Sequence, residues 1–267
     1  MANPLFNRLK PKLAPIREAA LGIASGSQTV SDQAIASIEP RDTDKFHKAW
    51  RYKDLEDEEW YELIKVSRLT GEDCKDSVSE KLWRAAVMHE MCQKIVYCLI
   101  VKVRAALQDD PDVLEVRWCR YVVRPNIVLF TSDRDDSQEI PIYVHDMMYI
   151  HCKNNVRFVL DVSGDQYGFE EWFFSSKYYY DNHRWDTVLQ RPQTTETQLV
   201  ASLEGEEPRL PALKDAVEKA VAAEEARWAA KGLGWSSLHR LLDDQRNHLF
   251  DGIADRLEQV VVNCLAA

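Results

Sequence analysis

The sequence predicts an α+β fold in which a helix packs on an antiparallel sheet, with helical additions at the N- and C-terminal ends. Three observations carry this. An apolar stripe of helical period runs through Leu82, Trp83, Ala86, Val87 and Met91 into Ile95, Val96, Leu99, Ile100 and Val103. Strand-like runs separated by turn signals follow between Val113 and Val162. The order, helix first and strands after, segregates the two kinds of element as α+β folds do. At 267 residues, 45% of them hydrophobic, the chain is long enough to bury a core.

Taken in order, residues 1–42 are rich in Ala, Ser, Pro and Gln and read as a loosely packed N-terminal arm with one short helix. The core domain spans 43–190. It opens with one or two amphipathic helices between Asp42 and Leu69, which carry Phe46, Trp50, Trp60, Tyr61, Leu63, Ile64 and Val66 among many charges. Ser77-Val78-Ser79-Glu80 has the form of a capping box and starts the main helix, which ends before Asp109-Asp110-Pro111-Asp112. Strands are expected at 113–123, 127–131, 140–151 and 156–162. An aromatic cluster from Trp172 to Trp185 follows, including Tyr179, and is placed to wall a substrate cleft or to pack on the sheet edge. Residues 191–211 read as an acidic linker. Residues 212–267 read as a helical segment, one Ala-rich helix through Ala229 and a second from Ser236 or Ser237, with Gly232-Leu233-Gly234 between them.

The formal charge of −10 argues against a dedicated non-specific nucleic-acid binder, whose affinity comes from Lys and Arg neutralising phosphates. A local cationic stretch, Arg8, Lys10, Lys12 and Arg17, reads as a solvated terminal arm. The six cysteines show no CxxC pair and no zinc spacing, so no metal and no cofactor is expected. No run reaches the roughly 18 apolar residues of a membrane helix, and the start of the chain lacks a secretory pattern. A cytoplasmic location with reduced thiols is the expectation.

The chemistry centres on a hairpin. Ile142 to His151 and Val156 to Val162 form two strands, with Cys152-Lys153-Asn154-Asn155 as the turn. A turn centred on Lys153 and Asn154 puts His145 opposite Val162 and diagonal to Asp161. A carboxylate there fixes the imidazole tautomer and stabilises its protonated form. His151 shares a strand face with His145 and is the second candidate imidazole. The thiol is Cys92 or Cys74: Cys92 serves only if the helix breaks near His89-Glu90, whereas Cys74 sits just before the capping box, where the helix dipole favours a thiolate.

A helix-borne cysteine, then a strand with histidine, a turn, and a strand ending Val159-Leu160-Asp161-Val162-Ser163-Gly164-Asp165-Gln166-Tyr167-Gly168 resembles the core of the transglutaminase-like and papain-like superfamily. The likeness covers residues 90–170 and is most specific over 145–168. It implies His145 as base or acid and Asp161 as the orienting carboxylate. The small residues that surround the family's thiol are absent around Met91-Cys92-Gln93. Gln166 is a candidate oxyanion donor, and Trp172 and Tyr179 are candidate substrate contacts.

The expected activity is cysteine-dependent acyl transfer, forming or cleaving an amide or ester through a thioester, on a small-molecule or aminoacyl substrate. If the donor is an aminoacyl-tRNA, as in fungal arginine-containing cyclodipeptide synthases, the cationic stretch gains a use. The alternative from another class is a non-catalytic binding or scaffold protein that keeps the core without its nucleophile.

Overall fold

The computed structural model describes residues 3–41, 59–131, 144–184 and 195–267. Phe46, Trp50 and Trp185, together with residues 140–143 of the expected third strand, lie outside them.

The first helix, α1 (Pro4–Thr29), replaces the loosely packed arm. Asn3 caps it by accepting the Leu5 N–H at 2.9 Å, and Pro4 occupies the first turn, where a missing N–H costs nothing. Leu9, Leu13, Ile16, Ala20 and Ile23 form a fully buried stripe. The Ala-Leu-Gly-Ile-Ala-Ser-Gly run is irregular in hydrophobicity because it is built for closeness. A Cβ on Gly22 would stand 2.4 Å from the Ala254 carbonyl oxygen, and one on Gly26 would stand 2.7 Å from the Val261 Cβ. Both neighbours belong to α8 (Ile253–Ala266), so the glycines let two backbones approach. The four cations of the arm are paired within the chain, Lys12 and Arg17 buried and Arg8 and Lys10 half-buried. Arg8 pairs with Asp110 and Asp112, Lys10 with Glu171, Lys12 with Asp110 and Arg17 with Asp165. Carboxylates of the chain itself pair with this stretch.

Two sheets follow. In the smaller one, β2 (Glu59–Ser67) lies between β1 (Gln33–Pro40), antiparallel to it, and β4 (Ile127–Thr131), parallel to it. Residues 59–67 are therefore a strand rather than an amphipathic helix; the aromatic and β-branched residues suit a pleated surface once neighbours on both sides supply hydrogen bonds. The larger sheet, ordered β3 (Val113–Val122), β5 (Val144–Cys152), β6 (Arg157–Leu160), β7 (Phe173–Ser175), is antiparallel throughout. The strand at 127–131 thus leaves the expected sheet for the smaller one.

The helix expected through Cys92 is two helices, α2 (Glu80–Met88) and α3 (Cys92–Leu107). Ser79, not Ser77, caps the first by accepting the Leu82 N–H at 3.3 Å. One face of α3 packs on β3 and β5, where Ile95, Leu99 and Val103 share a core with Val116, Trp118, Met148 and Ile150. The other side meets α1 and the helix α6 (Leu210–Ala229). A short helix α4 (Ser176–Asn182) follows β7.

Most of the expected acidic linker is helical. Thr195 and Gln198 form a capping box for α5 (Glu196–Glu206), whose Leu199 and Leu203 are buried, and α6 begins at Leu210. The second C-terminal helix is broken into α7 (Asp243–Phe250) and α8, because Gly252 turns the chain at φ 69°. No helix among the described residues is long and apolar enough to cross a membrane.

Candidate active site

The hairpin places the imidazole and the carboxylate together, in a register one residue from the expected one. Met148 pairs with Leu160, Tyr149 with Val159 and Ile150 with Phe158. The connection is a 3-10 turn at Lys153–Asn155 with Asn154 and Asn155 both at positive φ, longer than a two-residue turn; the Cys152 N–H closes it on the Val156 carbonyl at 2.9 Å. Continuing that register, His145 faces Ser163, and Asp161 lies two residues back along the partner chain. That offset puts the two side chains on one face of the hairpin, as a diagonal pair requires. His145 Nε2 and Asp161 Oδ1 are 2.7 Å apart, and neither residue is exposed to solvent at all.

The phrase after β6 is occupied residue by residue. The Asp161 N–H donates to the Trp172 carbonyl at 2.8 Å. Gly164 passes so close that a Cβ would stand 3.1 Å from both Cγ and Oδ2 of Asp161. Asp165 is paired with Arg17, whose Nη1 also donates to the Val162 carbonyl at 2.5 Å, so α1 holds this loop from outside the sheet. Gln166 Nε2 stands 3.1 Å from His145 Nδ1, and the Tyr167 ring meets the imidazole edge to face at 4.8 Å. Gly168 turns the chain at φ 71°.

Cys92 completes the arrangement because the helix breaks where it must. His89 leaves helical geometry and Glu90 adopts φ 64°, a left-handed conformation costly for a residue with a Cβ. α3 then restarts with Cys92 as its first residue, at the positive end of the dipole. The thiol donates to Asp146 Oδ2 at 4.0 Å, and Cys92 is also among the groups that raise the His145 pKa. Burial alone would depress the pKa of His145, but Asp161 and Cys92 overcome it and raise it to about 10. The ring is thus held as an imidazolium beside the sulfur.

Two further groups converge here, Tyr179 in a role other than the expected substrate contact and Asp146 without a sequence signal of its own. Tyr179 is fully buried and its hydroxyl donates to Asp161 Oδ2 at 2.9 Å. Burial and the adjacent carboxylate keep its pKa well above 10, so it remains a donor. Tyr179 therefore orients Asp161 and has no surface to offer a substrate. Asp146, the neighbour of His145, accepts from Trp118 Nε1 at 2.6 Å and from Arg120 Nε at 3.0 Å, and lies 4.0 Å from the Cys92 sulfur.

The remaining candidates sit elsewhere. Cys74 packs against the smaller sheet, its thiol pushed up by burial. The Trp172 ring packs against the main core and Phe173, with the Lys10 ammonium 5.7 Å from its centre. His151 pairs with Arg157 and Glu115 at the far end of β5, about 20 Å from His145 at the usual strand rise. Gln166 contacts the imidazole rather than standing free as an oxyanion donor. Tyr167, Phe169, Phe174 and Tyr179 form a core beside the His145–Asp161 pair. Among the described residues no three His, Cys, Asp or Glu side chains are placed to hold a metal ion. No protein-family model, curated protein or solved structure matches the chain.

Proposed function

We propose that this protein performs acyl transfer or hydrolysis through a thioester on Cys92, using a core of the transglutaminase-like and papain-like kind. One observation carries the reading: a helix break with no glycine or proline delivers Cys92 to the N-terminus of α3 and against an imidazole that is itself bonded to a buried carboxylate. A buried free cysteine with no catalytic task needs none of these features.

His145 holds the Cys92 proton as the imidazolium, and the resulting thiolate attacks a substrate carbonyl carbon. The backbone N–H groups at the start of α3, which have no carbonyl one turn back within the helix, face the developing oxyanion. As the C–S bond forms and the bond to the leaving group breaks, His145 returns the proton to that group. Water or an amine then resolves the thioester, with His145 as base. The substrate class is a small molecule or an aminoacyl group.

The second reading, a binding protein that retains this core without turnover, is favoured by closure of the site, since Cys92 is only 7% exposed. Alkylation by iodoacetamide across pH with peptide mapping separates the two. A catalytic Cys92 labels faster than the other five cysteines and slows in His145→Ala. Labelling of Cys92 that is no faster than the rest refutes the catalytic reading.

A further inference from the structure

We propose that Arg120 selects the substrate by taking an oxyanion, a carboxylate or phosphate, carried by the acyl donor. The inference rests on the thiol chemistry above and names the class of molecule that chemistry acts on. Arg120 and Asp146 are direct partners across β3 and β5. Asp146 is nearly inaccessible and already served: Trp118 Nε1 binds Oδ1, Arg120 Nε reaches Oδ1 at 3.0 Å and Oδ2 at 3.2 Å, and the Cys92 sulfur is 4.0 Å from Oδ2. This uses only the Nε–H of the guanidinium. Its two terminal amino groups have no partner among the described residues, and the Arg120 side chain is 33% exposed where that of Asp146 is 3%.

The carboxylate thus performs two tasks. It fixes the guanidinium in one orientation, and it stands between guanidinium and nucleophile, with Oδ2 3.2 Å from Arg120 Nε and 4.0 Å from the Cys92 sulfur. A planar pair of N–H donors matches a carboxylate or phosphate better than any other side chain does. Elsewhere the chain is strongly acidic, with a formal charge of −10, and repels an anion. A positioned cation beside the sulfur is therefore what would let a negatively charged donor approach. Neutralising Asp146 alone does not call for an exposed donor fork.

The test uses the folded full-length chain and two alkylating reagents of nearly the same shape, iodoacetate and iodoacetamide. They differ in the carboxylate. The iodoacetate-to-iodoacetamide rate ratio is measured at Cys92 and divided by the same ratio at Cys264, which lies on α8. The expected value is about ten for the wild type, falling to about one in Arg120→Gln and intermediate in Arg120→Lys, which keeps the charge but not the fork. Equal ratios at Cys92 and Cys264 in the wild type overturn the proposal, as does an unchanged ratio in folded Arg120→Gln. Should that variant not fold, the wild-type ratio still decides, together with protection of Cys92 by inorganic phosphate. Fast iodoacetamide labelling without iodoacetate preference removes the oxyanion site and leaves the thiol reading intact. Slow labelling of Cys92 by both reagents removes both.

Discussion

Replacing Asp161 by Asn tests the centre of the site, because it removes one charge and little volume. In the wild type His145 is driven from 6.5 to about 10 although burial acts in the opposite direction. That rise corresponds to about 5 kcal/mol of net preference for the imidazolium. It is a lower bound on what Asp161 and Cys92 together supply, since they first have to overcome desolvation. Without the carboxylate at 2.7 Å, desolvation, already the largest single influence, is opposed only by Cys92, and the His145 pKa in Asp161→Asn should fall from about 10 toward 6.5 or lower. Ring nitrogen shifts recorded by NMR from about pH 5 to about pH 11 follow this directly. Because the folded-state pKa lies above the ordinary one, the stabilisation from charging His145 is whole below about pH 6.5 and is lost as the pH climbs through about 10. Denaturant midpoints of wild type and variant should therefore differ most at acidic pH and converge in alkali. A wild-type His145 that titrates near 6.5, or a stability gap independent of pH, would refute the reasoning.

Other outcomes follow from the same geometry. Tyr179→Phe deletes the donor to Asp161 Oδ2 and should cost about 1–3 kcal/mol in chemical denaturation, since a buried acceptor loses its partner. Gly164→Ala forces a methyl group against the Asp161 carboxylate and the Phe169 ring; about 1–3 kcal/mol of destabilisation and slower alkylation of Cys92 are expected together. Asp110→Asn probes the cluster that neutralises the N-terminal cations. Burial pushes the Asp110 carboxyl up, but Lys12, the Asp112 N–H and Arg8 bring it below the ordinary value. Its stabilising contribution is present at neutral pH and lost as the pH falls through the depressed pKa, so thermal melts of wild type and variant should draw together in acid.

Parts of this architecture are legible in the chain because they are local. The periodicity after Cys92, the alternation on either side of Lys153–Asn155 and the phrase from Leu160 to Gly168 each lie within a few residues of their own signals. The break before Cys92 is not legible, since Glu90 takes a left-handed conformation that sequence rules assign to Gly or Asn. The helix α1 is obscured by the small residues that let it touch α8, which lower its apparent hydrophobicity. Arg120 and Asp146 are adjacent only through the β3–β5 register, and residues 123–143 separate those strands in sequence. Tyr179 looks like a cleft aromatic until the direction of its hydroxyl is known. The register of His145 against Asp161 depends on two consecutive asparagines at positive φ, which composition marks as a turn but does not measure.

The close seating of Gly22 and Gly26 on α8 also constrains the order of events in folding. Thr29, at the end of α1, accordingly reaches Glu258, 229 positions further along the chain. Contacts of that separation incur loop-closure entropy before they return any stability, and chains dominated by them fold slowly. The side of α1 seated on α8 waits for that helix, although α1 also packs on α2 and α3, and Arg17 on the same helix holds the loop that carries Gln166. The hairpin of His145 and Asp161 can therefore form early, its supporting loop settles as α1 seats, and a slow late phase in the recovery of Cys92 reactivity after refolding is the kinetic signature of that dependence.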